Sequence, residues 1–199
     1  MNGQKFHSNR LFLLAAESIS DIAQNNRSHE VPILLSAISV EAFVNEIPII
    51  AQENREYPFL KMLLDDEAER NSTLFKIQII HFAFTGKQLD KGSRPFQDVQ
   101  LLFELRNMIV HLKPEAIQFS SDIEDGEPIQ KKSKIVSSFI SRGIIKEHAN
   151  FASGWTDYLL VRPVAEWAVN TALQTMKWIS DLPPKGNFRN YLKAFSVSK

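Results

Sequence analysis

The sequence predicts an all-α helical bundle with antiparallel long helices, and two observations carry that prediction. Apolar residues recur at the three- to four-residue spacing of a helix along successive stretches of the chain. Between those stretches fall glycines, prolines and short polar clusters, where helices start and stop. With 199 residues, 44% of them apolar and 23% charged, the chain suffices for one domain with a proper core. Neither an internal repeat nor a convincing second domain is visible across 1–199.

Ser8 or Asn9 caps a first helix running to about Asn25, with Leu11, Leu14, Ala15, Ile19, Ile22 and Ala23 in register. Asn25–His29 is a polar turn. A second helix starts near Glu30, with Pro32 tolerated in its first turn. Its stripe of Leu34, Leu35, Ile38, Ala42 and Phe43 is widened by Val44, Ile47 and Ile50, so it is nearly apolar all round and predicted to be central. Pro48 is predicted to kink or end it. Residues 54–72 are charge-rich; Asp65, Asp66, Glu67 and Glu69 read as a solvated helix end, because adjacent carboxylates on a helix diverge and no histidine sits at ligand spacing.

Thr73–Phe84 is a further apolar helix, with Leu74, Ile77, Ile80 and Phe84 in register and Gly86 terminating it. A basic loop, Lys87–Pro95, leads into the helix that holds Leu101–His111. Beyond Pro114, residues 115–158 read as an insertion or irregular region. Its acidic Asp122–Glu127 gives way to basic Lys131, Lys132 and Lys134 and a short helix near Ser133–Ser141, and Phe139, Ile140, Ile144 and Ile145 pack part of it down. The last strong helix spans about Leu159–Leu182, with Pro163 in its first turn and Pro183-Pro184 stopping it. The tail Lys185–Lys199 is basic and partly aromatic: either a docked or frayed terminus, or a stacking surface for a single strand.

Composition excludes several function classes. With no cysteine, disulfides, thiolate catalysis and thiolate zinc sites are ruled out, in keeping with a reducing compartment. A formal net charge of zero means that any RNA site is a local basic patch. The first ten residues lack the apolar core of a signal peptide, and no apolar run approaches the roughly 20 residues needed to span a bilayer. The expectation is a soluble cytoplasmic protein with no membrane association. His7, His29, His81 and His148 form no ligand pattern, His81 reading as a packed or hydrogen-bonded histidine, and neither a metal nor a cofactor is expected.

One stretch concentrates polar chemistry on an apolar helix: Leu101–His111, which holds an Arg, four intervening residues and a His. At about 100° per residue, Leu101, Leu105, Met108 and Leu112 share one face, with Ile109 and Leu102 beside them. Arg106 and His111 flank a second, narrower strip formed by Val110 and Phe103. A helix apolar on both sides is normally covered on both sides, and a second subunit related by a two-fold can supply that cover. Such pairing brings two Arg and two His into one cleft. Histidine exchanges a proton near neutrality, and Arg holds phosphate with a planar fork of donors. Asn107 can orient the imidazole or donate to phosphate; Glu104 can set the Arg or His geometry, or simply be solvated. A cleft of these groups can cleave RNA with the ribose 2′-hydroxyl as nucleophile, Arg stabilising the charge of the transition state. An ion-paired Arg and a helix-end His, electrostatically favourable at a C-terminus, account for the same residues without chemistry.

Elsewhere, Glu41 and Asn45, one turn apart on the second helix, either join the Arg106/His111 site as buried partners or serve the core or solvent. Lys87, Lys91 and Arg94, with Lys113 beyond the motif, form the best local patch for phosphate, or a solubilising loop. The Gly-Ser pair of that loop does not match a P-loop.

Arg106-Asn107-Met108-Ile109-Val110-His111 resembles the signature of the HEPN superfamily: an Arg, a polar residue, often Asn, and a His after four to six positions. Lys91–Asp98, His111–Pro114 and Ser39–Glu46 also resemble bacterial members of that group. The resemblance covers most of the chain as a helix pattern, and its specific part is the short motif. It implies an all-helical, usually dimeric domain, often a metal-independent endoribonuclease of toxin, anti-phage or RNA-processing systems. By position it makes Arg106 and His111 catalytic and Asn107 supporting. Nucleotidyltransferase-paired members often carry a Tyr two residues after the His, where this chain has Lys113, so regulation through such a Tyr is not implied. The expected partners are RNA, a second copy, and an antitoxin or other protein. The alternatives are a non-catalytic RNA- or protein-binding module and a subunit of a hetero-assembly.

Overall fold

Helix α1 (Ser8–Asn25) begins and ends close to the boundaries read from its cap and turn, and helix α2 (Glu30–Glu53) begins where the sequence predicts. In the computed structural model, residues 7–25, 29–65, 71–111, 134–146 and 155–195 are described, and every regular element among them is helical. A 3-10 segment, Pro58–Leu64, follows α2, and then α3 (Thr73–Thr85), α4 (Arg94–Val110), α5 (Lys134–Ser141), α6 (Trp155–Leu159), α7 (Arg162–Asp181) and α8 (Asn187–Phe195). The protein is all-α.

α1 and α2 run antiparallel, since the first residues of α1 meet Glu46 near the far end of α2. α2 is central: α1, the 3-10 segment, α3, α4, α7 and α8 all pack on it. Its Ile33, Ala37, Val40, Phe43, Val44, Ile47 and Ile50 are wholly buried. One buried apolar cluster runs from Phe12 of α1 to Leu192 of α8. α2 is also long and apolar enough to cross a membrane by length and composition, so the expectation that no such run exists is corrected. Ser36, Ser39, Glu41, Asn45 and Glu46 interrupt the run residue by residue without lowering its average far. Here 61% of that run lies inside the bundle, as its all-round apolarity requires of a core helix.

Pro48 neither ends nor interrupts α2, which continues to Glu53. A mid-helix proline loses one backbone hydrogen bond and crowds the carbonyl four residues back, at about 3 kcal/mol. Burial of Ile47, Pro48, Ile50 and Ala51 offsets that loss, and Asn54 closes the end by donating both its backbone N–H and its side-chain amide to the Ile50 carbonyl.

The charged stretch after α2 holds more structure than a solvated end. Leu60 and Leu63 of the 3-10 segment are buried, while Asp65 is exposed and Asp66, Glu67 and Glu69 lie outside the described residues. Tyr57, before that segment, adopts φ 50°, and its ring packs on Phe84 at 4.8 Å and Phe188 at 5.0 Å. A left-handed Tyr is disfavoured by about 1–2 kcal/mol, and the three-ring contact supplies the compensation.

Ser72 caps α3 by accepting from the Phe75 N–H, and Gly86 ends it at φ 68°, as the sequence predicts. A Cβ at Gly86 would meet no atom within 4 Å, so only the backbone conformation demands glycine there. Gly86→Ala is expected to lower unfolding free energy by about 1 kcal/mol, read as a lower denaturant midpoint at unchanged slope.

The predicted helix near Ser133–Ser141 is α5, held to α7 by an edge-on contact of Phe139 with Trp167 at 4.8 Å. Ile140, Ile144 and Ile145 pack against the core, while the acidic stretch 122–127 lies outside the described residues. The helix expected over about Leu159–Leu182 is α7, Arg162–Asp181, and a short helix, α6, precedes it. Pro163 cannot donate to the Leu159 carbonyl and crowds it, so a new helix starts at Arg162.

The tail is a docked helix as far as described. Phe188 and Leu192 are buried, and both cations, Arg189 and Lys193, pair with Asp181 at the end of α7. The stacking-surface alternative loses Phe188 to the core. Hydrogen bonds from Lys193 and then Arg189 hold the Asp181 carboxyl below its ordinary value. A lowered carboxyl stabilises the fold above its unfolded value and loses that contribution as pH falls through the folded one. Docking of α8 is therefore expected to be at full strength at neutral pH and to weaken below about pH 4. In hydrogen exchange, α8 protection relative to α2 falls there in the native protein and changes less in Asp181→Asn.

Candidate functional site

Helix α4 positions the polar cluster. It starts after Ser93, with Pro95 in its first turn, where the missing N–H costs nothing. Leu101, Leu102, Leu105 and Ile109 are buried on one side of the helix, and Phe96, Val99 and Phe103 on the other. The helix ends at His111, whose backbone leaves helical geometry at φ −110°, ψ 43° while its N–H still donates to the Asn107 carbonyl at 3.0 Å. Pro114 has no N–H to offer the Val110 carbonyl, consistent with a stop here.

The last turn gathers the motif. Arg106 is half-buried, and its Nη1 donates to Asn107 Oδ1 at 3.0 Å. Asn107 and His111 are exposed, and Val110 between the flanking Arg106 and His111 is 50% exposed. Asn107 thus positions the Arg side chain rather than the imidazole, with its amide N–H2 group turned to donation. Arg106 and His111 differ by about 7.5 Å of helix rise. The pair brackets an accessible strip with a fixed cation at one flank and a titratable ring at the other.

The second apolar strip divides. Phe103 is only 9% exposed within one chain, so its cover needs no second subunit; Val110 is the part of that strip left open.

The supporting residues are placed elsewhere. Glu104 is exposed, the solvated one of its two readings, and accepts from Gln100 Nε2 at 3.0 Å. Asn45 is exposed, the solvent-facing one of its alternatives, and accepts from Lys76 Nζ at 2.8 Å; Glu41 is half-buried. No hydrogen bond joins either to Arg106 or His111 among the described residues, because α2 turns this stripe toward α3. Lys76 itself, 5% exposed, was not singled out by the sequence pattern; the signal is a cation set between Phe75 and Ile77 on an otherwise apolar face.

Lys87 and Lys91 are exposed, and Arg94 pairs with Asp98 at 3.3 Å. These residues sit at the amino end of α4, about 25 Å of helix from the His111 end, so one protomer does not bring the basic loop and the motif into a single cleft. The loop's shape is internally fixed: Lys87 N–H donates to Thr85 Oγ1, the Lys87 carbonyl faces His81 Nδ1 at 3.1 Å, and Asp90 Oδ1 accepts from Gly92 N–H. His81 is thereby hydrogen-bonded and lies beside Trp178. Lys113 lies outside the described residues. Among the described residues, no three histidine or carboxylate side chains group as metal ligands.

Two further charged centres escape sequence reasoning. Glu46 accepts from the backbone N–H groups of His7 and Ser8 and from the Ser8 hydroxyl. Asp98 is shared by Arg94 and Arg142, the latter arriving from the turn after α5. Both are pairings over some forty residues of chain, and no local pattern marks them.

No family model, curated protein or solved structure matches the chain.

Proposed function

We propose that the chain is a metal-independent endoribonuclease of a defence, toxin–antitoxin or stress-response system, working as a homodimer on RNA in the cytoplasm. The observation that carries this reading is the last turn of α4, where Asn107 holds a half-buried Arg106 beside an accessible His111. His111 exchanges the proton of a ribose 2′-hydroxyl or of the leaving 5′-oxygen. The 2′-oxygen attacks the adjacent phosphorus, the bond to the 5′-oxygen breaks, and a 2′,3′-cyclic phosphate and a 5′-hydroxyl result. Arg106 and the Asn107 amide donate to the phosphoryl oxygens as charge builds on them. A two-fold pairing across Val110 would supply a second His111, so that one imidazole acts as base and the other as acid.

A second reading, a non-catalytic module that binds RNA or a partner protein through the same surface, is favoured by the open apolar side chain of Val110 between Arg106 and His111. The test is incubation of the purified protein with total RNA in chelator, beside His111→Ala, with fragment ends mapped. Cleavage by the native protein alone, leaving 2′,3′-cyclic ends, supports the nuclease. RNA bound by a dimer without cleavage transfers the assignment to the module.

A further inference from the structure

We propose that the amino end of α4 carries a phosphate-binding site built by Arg94 and Arg142 around Asp98. One carboxylate is shared by two guanidinium groups: Asp98 Oδ1 meets Arg142 Nη1, and Oδ2 meets Arg94 Nε at 3.3 Å. The two forks carry ten N–H donors against the few lone pairs of one carboxylate, and the trio keeps one net positive charge. A tetrahedral oxyanion answers both excesses, and planar guanidinium forks suit it better than point charges do.

The cations differ in a way that suits a ligand. Arg142 is set by packing: α5 is pinned through Phe139 against Trp167, the chain turns at Gly143 (φ 69°), and the Arg142 side chain is 16% exposed. Arg94 is 69% exposed and touches Asp98 only across one helical turn, leaving it able to swing onto a bound group. Burial, and secondarily the neighbouring Arg94, push the Arg142 guanidinium below its usual value. Ser93 stands at the start of the same helix without capping it, and its hydroxyl oxygen is buried with no partner. A pure structural clamp needs one arginine for this carboxylate; the second is in surplus.

The ligand is a phosphate oxyanion, either a phosphodiester of RNA or free phosphate. The RNA form rests on the proposed function for its ligand, but not on cleavage. The probe is therefore a labelled single-stranded RNA carrying 2′-O-methyl groups, which cannot be cut by 2′-oxygen attack, titrated with the full chain over a range of salt. Arg142→Gln and Arg94→Gln are expected to weaken binding roughly tenfold and to lower the salt slope by about one. Asp98→Asn, which removes the competing carboxylate, is expected to bind several-fold more tightly. Inorganic phosphate is titrated in parallel by thermal shift. Stabilisation lost in the arginine variants, without an RNA effect, identifies the free ion as ligand. Binding of both probes unchanged in Arg94→Gln and Arg142→Gln overturns the site, as does an Asp98→Asn protein that binds more weakly, since a structural clamp fails in that direction. Loss of cleavage in His111→Ala alters none of these readings, so the two proposals fail separately.

Discussion

His111→Ala is expected to lower RNA cleavage by about 10²–10⁴-fold, the usual contribution of a positioned general acid or base. The fold should barely register the change. His111 lies exposed at the end of α4, and its structural hydrogen bond runs from the backbone N–H, which alanine keeps. Unfolding free energy should stay within about 0.5 kcal/mol of the native value. Arg106→Lys is the informative companion. Lysine preserves the charge but not the fork that Asn107 holds, so ground-state binding of RNA should survive better than the rate. Retained cleavage in a purified, metal-free His111→Ala protein removes the imidazole from the mechanism. A loss in that variant accompanied by unfolding of α4 would instead give His111 a structural part.

The elements were readable where local chemistry decides them. Gly86 stops α3 because glycine alone enters the left-handed region cheaply, and the turn before Glu30 separates two helices whose apolar spacing is plain. Local rules failed where tertiary burial outweighed them. Pro48 sits inside α2 because buried neighbours on both sides sustain the helix. In the candidate site, Arg106, Asn107 and His111 are legible together because they share two turns of one helix. The roles offered to Glu41, Asn45 and Glu104 depended on which way two helices face each other, which spacing does not encode. Lys76 with Asn45, Arg142 with Asp98, and Glu46 with Ser8 join residues 31, 44 and 38 positions apart, beyond any sequence window.

Glu46→Ala is expected to be the most destabilising single change in the polar framework, by about 3 kcal/mol. Its carboxylate, 8% exposed, is the acceptor for the His7 and Ser8 N–H groups at 2.6 and 3.0 Å and for the Ser8 hydroxyl. Ser8 is itself 0% exposed, so water cannot replace the acceptor without opening the junction. Negative charge at the start of α1 also faces the positive end of that helix, a favourable term of about 0.3–1 kcal/mol. Removing the group orphans three donors at once and releases the end of α1 from α2. Glu46→Gln keeps one side-chain acceptor and its volume, and should fall between native and alanine forms. Denaturant unfolding gives the ranking, and hydrogen exchange locates it: protection lost in α1 ahead of α3 is the signature of this clamp. An alanine variant within about 0.5 kcal/mol of native would show that α1 is held by its apolar face alone.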